Sequence, residues 1–309
     1  MKTKIIFDME TGDPDDVLTL ALLATHPWAD LVAVTVTPGS PDQIGVVRHV
    51  LGLVGRQDLL EKGLTIGSFN LDHPKSCVSD WHYKAFGPIP PSVNARQGWD
   101  VLVDYWDSDV TLVTGGPLKN VGKYLQMIDE RPAWVKDHLW LNGPGTIVLQ
   151  GGFAGSGVVD EVDQLEKVMG MVTCPTYNLN GDPKSAKAVF ASSRLWAKRT
   201  LVSKNVCHGV VYDQELHDLA MQVADPHPGL ALVRKVMAPY VAEGKTKALH
   251  DPLAAMCALD PSIGTWAEVE VYREKGDWGA RLSPGSGTMI ITKYDRDRFI
   301  QALFAVRER

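Results

Sequence analysis

The densest chemistry in the chain lies near its amino end, in Asp8-Met9-Glu10-Thr11-Gly12-Asp13-Pro14-Asp15-Asp16. Five carboxylates fall within these nine residues. At such spacing they repel one another, and each resists ionisation unless a counter-charge is close. Asp15 or Asp16 at a helix start is ordinary capping chemistry, but a cap employs one carboxylate, not five. A hard divalent cation could use the others: Ca²⁺ takes roughly six to eight oxygen ligands and accepts carboxylates, backbone carbonyls and water together. The plainer alternative is a solvated acidic turn with one capping Asp. Gly12 and Pro14 suit either, since a tight turn also calls for them.

Three other segments carry groups that such a site could use. His250-Asp251-Pro252 precedes the apolar run Leu253-Ala254-Ala255-Met256; on the ordinary reading Asp251 caps that helix and His250 is a surface imidazole. Thr114-Gly115-Gly116-Pro117-Leu118 stands between a strand and a helix, where turn chemistry alone accounts for it. Asn178 lies four residues before Asp182-Pro183, itself a helix start. With the acidic loop, all occupy strand-to-helix junctions or helix starts. They could therefore meet at one end of a sheet, where open α/β sheets place their ligands.

The elements that must position these groups follow from hydrophobic periodicity. Ile5-Ile6-Phe7 is a short apolar run of the kind buried on both faces of a parallel sheet. Val17 to Leu23 reads as an apolar helix ending near His26-Pro27, Leu31 to Thr37 as a β-branched strand, and Asp42 to Val54 as a second helix. This βαβα start predicts an α/β fold with a largely parallel central sheet flanked by helices. Residues 68 to 98, with Pro74, Pro88, Pro90 and Pro91, read as one long irregular excursion, a kind of segment that is often functional. Alternation resumes with helix Trp99–Trp106, strand Val110–Val113, helix Leu118–Ile128 and strand Thr146–Leu149. Further helices are expected at Asp182–Ser192, Gln214–Val223, Gly229–Tyr240, Pro252–Leu259 and Asp295–Val306. Strands are expected at Thr200–Val202, Trp266–Tyr272 and Thr288–Thr292. With no repeat, low-complexity tract or linker in view, a single domain over residues 1–309 is expected.

Composition narrows the function classes. Lys and Arg number 31 against 37 Asp and Glu, a net charge of −6, which argues against broad affinity for nucleic acid or an anionic membrane. An apolar share of 45% with 22% charged residues is that of an ordinary globular protein. Cys77, Cys174, Cys207 and Cys257 are far apart and form no C-x-x-C pair, against a zinc knuckle or a dense disulfide framework. The amino end lacks the apolar stretch of a secretory signal, and no run reaches the roughly 20 apolar residues of a membrane span. A cytoplasmic protein is expected.

Taken in order, these segments resemble the nucleoside hydrolase family, the calcium-dependent N-ribohydrolases of the inosine-uridine type, over nearly the whole chain. That family opens with a strand and D-x-D-x-G-x-D-D, and Asp8 to Asp16 reads D-x-E-x-G-x-x-D-D. Thr114 to Asn120, T-G-G-P-L-K-N, is similar to T-G-x-L-T-N, and Gln150-Gly151-Gly152 to M-G-G. Tyr177-Asn178 with Asp182-Pro183 and Ala186 is similar to F-N-x-x-x-D-P-x-A, and His250-Asp251-Pro252 matches H-D-P.

The resemblance implies a Rossmann-like fold and hydrolysis of the N-glycosidic bond of a ribonucleoside or related N-riboside. It implies that Asp16, the Asp251 side chain and the Thr114 carbonyl oxygen bind Ca²⁺. Glu10 stands where the family has the Asp that both touches the metal and deprotonates the attacking water. Asp15 and Asn178 would hold ribose hydroxyls, and His250 would lie near the departing base. His82, within Asp80-Trp81-His82-Tyr83, would belong to a loop over that base, with Trp81 and Tyr83 as stacking partners. Ser40, at a position where the family has Asn, and Gln150 complete the substrate side. A small nucleoside-like substrate and a homodimer or homotetramer are implied as well.

The departures carry information of their own. Glu10 replaces Asp, and one residue is inserted before the Asp pair. The extra methylene reaches about 1.5 Å further, so a longer side chain could compensate for a longer loop, with Asp8 and Asp13 left as alternative ligands. Thr176 stands where the family has Glu, two residues before the sugar-binding Asn, and an upstream Asn that touches the 5′-hydroxyl has no counterpart near Gly170. The metal and 2′,3′-diol machinery thus reads as kept and the 5′ side as rebuilt, which suggests a substrate with an altered 5′ group or base. Two other functions fit part of the pattern. Asp8-Met9-Glu10 with His208 and Asp213 resembles a D-x-E two-metal exonuclease, although no basic stripe for a phosphate backbone accompanies it. A ribosyl-ligand binding protein without catalysis is the second.

Overall fold

Ile5, Phe7 and Met9 face one side of the first strand and Ile6 the other, and all four are fully buried. A strand apolar on both faces must be covered on both, and this one lies mid-sheet. The computed structural model describes residues 1–61, 64–130, 144–195 and 198–306. Its strands are β1 (Thr3–Met9), β2 (Ala29–Val36), β3 (Ile66–Ser68), β4 (Arg96–Gln97), β5 (Val110–Thr114), β6 (Ile147–Gln150) and β7 (Thr173–Cys174). They continue with β8 (Arg199–Val202), β9 (Val211–Tyr212), β10 (Lys247–Ala248), β11 (Gly264–Glu274), β12 (Asp277–Leu282) and β13 (Thr288–Tyr294).

Eleven of them form one sheet in the order β4-β3-β2-β1-β5-β6-β8-β13-β11-β12-β7. From β4 to β13 every neighbouring pair is parallel, and the last three strands add an antiparallel edge. One face is covered by helices Pro14–Thr25, Pro41–Leu53, Pro228–Ala242 and His250–Leu259, the other by Gly98–Tyr105, Lys119–Glu130 and Pro183–Ala191. The expected α/β architecture is the one observed. Among the described residues no helix is long and apolar enough to cross a membrane.

Three local expectations are corrected. The stretch 68–98 is not wholly irregular, because Ser79 caps a helix over Asp80–Phe86 by accepting from the Trp81 N–H. Strand β12 was not expected; it folds back on β11 through Lys275 and Gly276, both at positive φ, the backbone of a tight two-residue hairpin. The helix expected from Pro252 starts at His250.

Candidate active site

The chain order sets where the site must be. From β1 the sheet grows through β2, β3 and β4 in one direction, and from β5 through β6 and β8 in the other. The crevice at the carboxyl ends of β1 and β5 is therefore a topological switch point. The acidic loop leaves β1 there, Gly115 leaves β5, Gly151 leaves β6, and Lys204 and His208 follow β8. All contribute to one cavity of about 420 Å³.

At its floor Asp15, Asp16 and Asp251 are each buried, and one oxygen from each lies within 4.8 Å of the others. Neither Asp15 nor Asp16 caps its own helix; Asp13 holds that position and makes no side-chain cap bond. Instead Asp15 Oδ2 accepts from the backbone N–H groups of His250 (2.9 Å) and Asp251 (3.1 Å). It thereby caps helix His250–Leu259 from a distant part of the chain, the role that local reading gave to Asp251. Asp16 Oδ1 accepts from the Glu10 N–H at 2.9 Å. A Cβ at Gly115 would sit 2.6 Å from Asp251 Oδ2 and 2.9 Å from Asp16 Oδ1, so only glycine lets the end of β5 approach them.

Electrostatics follow from this crowding. Burial pushes both Asp16 and Asp251 well above the usual carboxylate range, with repulsion added chiefly by Asp251 for Asp16 and by Asp15 for Asp251, while a hydrogen bond with Asp16 pulls Asp251 back. Burial raises Asp15 to about 6 against the pull of Lys247. Lys247 Nζ lies 2.6 Å from Asp13 and 3.3 Å from Asp15. Burial opposes its charge, yet those two carboxylates hold its pKa above the ordinary lysine value. Sequence reasoning missed Lys247, because nothing in Lys245-Thr246-Lys247-Ala248 marks one lysine over another.

Glu10 lines the cavity, but its side chain turns back on its own loop. Oε2 accepts from the N–H groups of Gly12 (2.6 Å) and Thr11 (3.1 Å). Burial pushes its carboxyl up to about 7. Asp8 is not a cavity residue: Oδ1 accepts from Thr35 Oγ1 (2.6 Å) and Asn120 Nδ2 (2.8 Å), and burial likewise raises it to about 7. Asp13 stays near the floor, with an oxygen close to Asp15 and a ring nitrogen of His250. Thr114 is fully buried at the end of β5, one residue before Gly115.

On the side walls, Asn178 Nδ2 approaches the Gly115 carbonyl (3.0 Å), the Gln150 carbonyl (3.0 Å) and Gln150 Oε1 (2.6 Å). Gln150 Nε2 in turn donates to Cys207 Sγ. His250 stacks on His208 with centroids 4.5 Å apart and planes 24° off parallel. Burial, with His208 and Lys247 adding to it, lowers His250 to about 3. Its ring is neutral at neutral pH, able to offer an N–H but not the extra proton of an imidazolium.

Three expected substrate-side residues lie elsewhere. Ser40 Oγ donates to the Ser76 carbonyl and caps helix Pro41–Leu53 together with Gln43. Trp81 packs edge-on against Phe86 and His82, and His82 is fully buried. None of the three lines the cavity. Their segment acts one step removed: the Ser79 N–H donates to the Thr11 carbonyl and Thr11 Oγ1 to the Cys77 carbonyl, pinning the acidic turn. The nuclease pairing does not assemble either, since Asp8 points away and Asp213 caps helix Gln214–Gln222.

Known proteins share the sequence pattern and the fold. A pyrimidine-specific ribonucleoside hydrolase, RihA of Shewanella sp. (strain MR-4), is 25% identical over 89% of this chain and 84% of its own length. The plant nucleoside hydrolase PpNRh1 superposes with a TM-score of 0.66 at 19% identity, covering 98% of both chains. A purine-preferring ribonucleoside hydrolase from Gardnerella vaginalis gives 0.64 at 18% identity, over 97% of this chain and 96% of that one. The sequence model of the inosine-uridine preferring nucleoside hydrolases matches residues 5–301, and the chain belongs to that family of N-glycosidases.

Proposed function

We propose that the protein, as one domain over residues 1–309, hydrolyses the N-glycosidic bond of a ribonucleoside-like N-riboside with the help of Ca²⁺. The observation that carries this reading is the trio Asp15, Asp16 and Asp251, buried with their oxygens within 4.8 Å. The donor set fits a hard cation. It is all oxygen, Lys247 alone among the described lysines pairs with its several carboxylates, and the glycine at 115 keeps side-chain atoms out of the floor. Asp16, Asp251 and the Thr114 carbonyl would hold the ion, with Glu10 at its margin. When bound, Ca²⁺ supplies the charge that fixes the two ribose diol oxygens and makes a water more acidic.

The chain's own groups then divide the work. Asp15, fixed by two N–H donors and Lys247, and Asn178, fixed on Gln150, orient ribose hydroxyls. Glu10 takes the proton of the attacking water. The surrounding carboxylates stabilise positive charge as it grows at C1′ and the ring oxygen. His250 offers an N–H to the leaving base. A cytoplasmic location and a homodimer or homotetramer accord with the family and complete the reading.

The test is release of reducing sugar from a panel of ribonucleosides with Ca²⁺ and with a chelator. Release that stops on chelation is expected. Tight nucleoside binding without any sugar release would favour the binding-protein alternative, and DNA degradation the nuclease.

The same carboxylates predict how stability responds to pH. Asp8, Glu10 and Asp15 have folded pKa values of about 7, 7 and 6, above their unfolded values. Their contribution is complete below the unfolded range and is lost as pH rises through the folded values. In chelator, Tm should fall between about pH 6.5 and pH 8, above the range where His82, His208, His227 and His250, buried neutral with lowered pKa values, act in the opposite sense by taking protons on unfolding. Ca²⁺ near a hundredfold over its Kd should raise Tm by about 5 °C at the upper end, and by less at the lower end where protons compete. Thermal melts across that range check it; a calcium gain equal at both ends would refute the linkage.

A further inference from the structure

The cavity that gathers the carboxylates also carries positive groups, on the wall built from β8 and the turn at Pro175. Lys204, directly after Ser203, lines the cavity, and its Nζ donates to the Pro175 carbonyl at 2.9 Å. An ammonium has three N–H donors, so two are left for a ligand. Lys167 reaches Nδ1 of the cavity residue His208 at 2.9 Å. Among the described residues neither lysine has a carboxylate within ion-pair distance, unlike Lys247 on the floor. Next to Pro175, Thr176 is 2% exposed and lines the cavity, yet its buried Oγ1 has no hydrogen-bond partner. A buried hydroxyl left unpaired costs stability unless a ligand completes it. One uncompensated ammonium and one unsatisfied hydroxyl thus border the cavity, and a second ammonium stands against its residue His208.

We infer that this wall, Lys204 and Thr176 with Lys167 behind His208, binds an anionic substituent, so that the preferred N-riboside carries a negative charge outside its ribose ring. The inference rests on the N-riboside reading above and narrows its substrate class. Two positions for the anion are compatible with the wall: a phosphate on the 5′ carbon, toward Pro175 and Thr176, or a carboxylate on the base, toward His208 and His250. Lysine suits either, since it acts as a point charge with rotatable donors and not as a planar fork. Thr176 stands where the family resemblance places a glutamate. A hydroxyl beside a free ammonium replaces a negative wall by one that accepts negative charge.

The test compares matched substrates with the purified enzyme and Ca²⁺: uridine against uridine 5′-monophosphate, and a pyridine carboxamide riboside against the corresponding carboxylate. In at least one pair the anionic member should have kcat/KM about tenfold or more above its neutral partner, the value of one charge-assisted bond. Lys204→Met should lower that anionic-to-neutral ratio about tenfold, and Lys204→Arg should restore most of it. Lys167→Met should lower it in the same direction, a second reading should loss of the Pro175 contact unfold the first variant. Competitive inhibition by ribose 5-phosphate against ribose reads the 5′ position without turnover. An effect confined to the phosphate pair places the wall at the 5′ end; one confined to the carboxylate pair places it at the base. If neutral members are cleaved as well in both pairs and the ratio ignores Lys204, the inference falls while N-riboside hydrolysis stands. If none of the four yields reducing sugar, the reading beneath it falls.

Discussion

Asp251→Asn should lower kcat/KM by about a thousandfold or more while leaving the apoprotein at least as stable as the wild type. A metal that polarises and orients is worth several kcal/mol of transition-state stabilisation, and each ~1.4 kcal/mol is tenfold in rate. Asparagine keeps the size of the side chain and its place against Gly115, whose missing Cβ makes room for it. It removes one of the three floor carboxylates. In the absence of a cation that removal is relief, because burial and the negative charge of Asp15 both work against an ionised Asp251. Activity and apoprotein stability should therefore move in opposite directions, and the rise of Tm with Ca²⁺ should vanish. Sugar-release kinetics beside melts with and without the ion give both readouts. A variant that loses activity and stability together would mean that Asp251 serves mainly the packing of its helix; one that keeps calcium-dependent activity would remove it from the metal site.

How much of this could be read in advance depends on whether local pattern or distant packing decides each position. The two-faced burial of Ile5, Ile6 and Phe7 is encoded in three adjacent side chains, and with the βαβα order it leads to a parallel sheet. The meeting of Asp15, Asp16, Asn178 and Asp251 was also legible, because a switch point gathers the loops that leave neighbouring strands. Trp81, His82 and Ser40 were not. Their orientation is set by how residues 76–79 lean on the acidic turn, contacts with no periodicity to announce them. Strand β12, Asp277-Trp278-Gly279-Ala280-Arg281-Leu282, has none of the β-branched alternation that marks strands, and its pairing is decided by the turn before it. Lys247 and Lys204 were invisible for a simpler reason: a lysine's function lies in what surrounds its ammonium, and sequence shows only its stem.

Glu10 presents the same problem in a form that an experiment can resolve, since its type was legible and its direction was not. Glu10→Gln should reduce kcat by about 10²–10⁴, the span typical of losing a positioned general base, with a smaller change in KM. Glutamine keeps the chain length, and its carbonyl oxygen can still accept from the Thr11 and Gly12 N–H groups that hold the wild-type carboxylate. What it cannot do is take a proton. Burial places the wild-type carboxyl near 7, so the active, ionised form is gained as pH rises and activity should climb along an acid limb. A bound divalent cation favours the ionised form and moves that limb to lower pH. Glu10→Gln should lose the limb altogether, whereas Asp251→Asn should keep what little activity remains on a limb shifted upward. Glu10→Asp separates reach from chemistry: it retains the acid but withdraws it by about one carbon–carbon bond, ~1.5 Å. If the extra residue in the loop is matched by the longer side chain, aspartate should recover only part of the loss. Full activity in Glu10→Asp would show that the loop, not the side chain, sets the reach. Wild-type activity in Glu10→Gln, with the acid limb intact, would pass the role of base to Asp13, the neighbouring carboxylate that already faces the cavity.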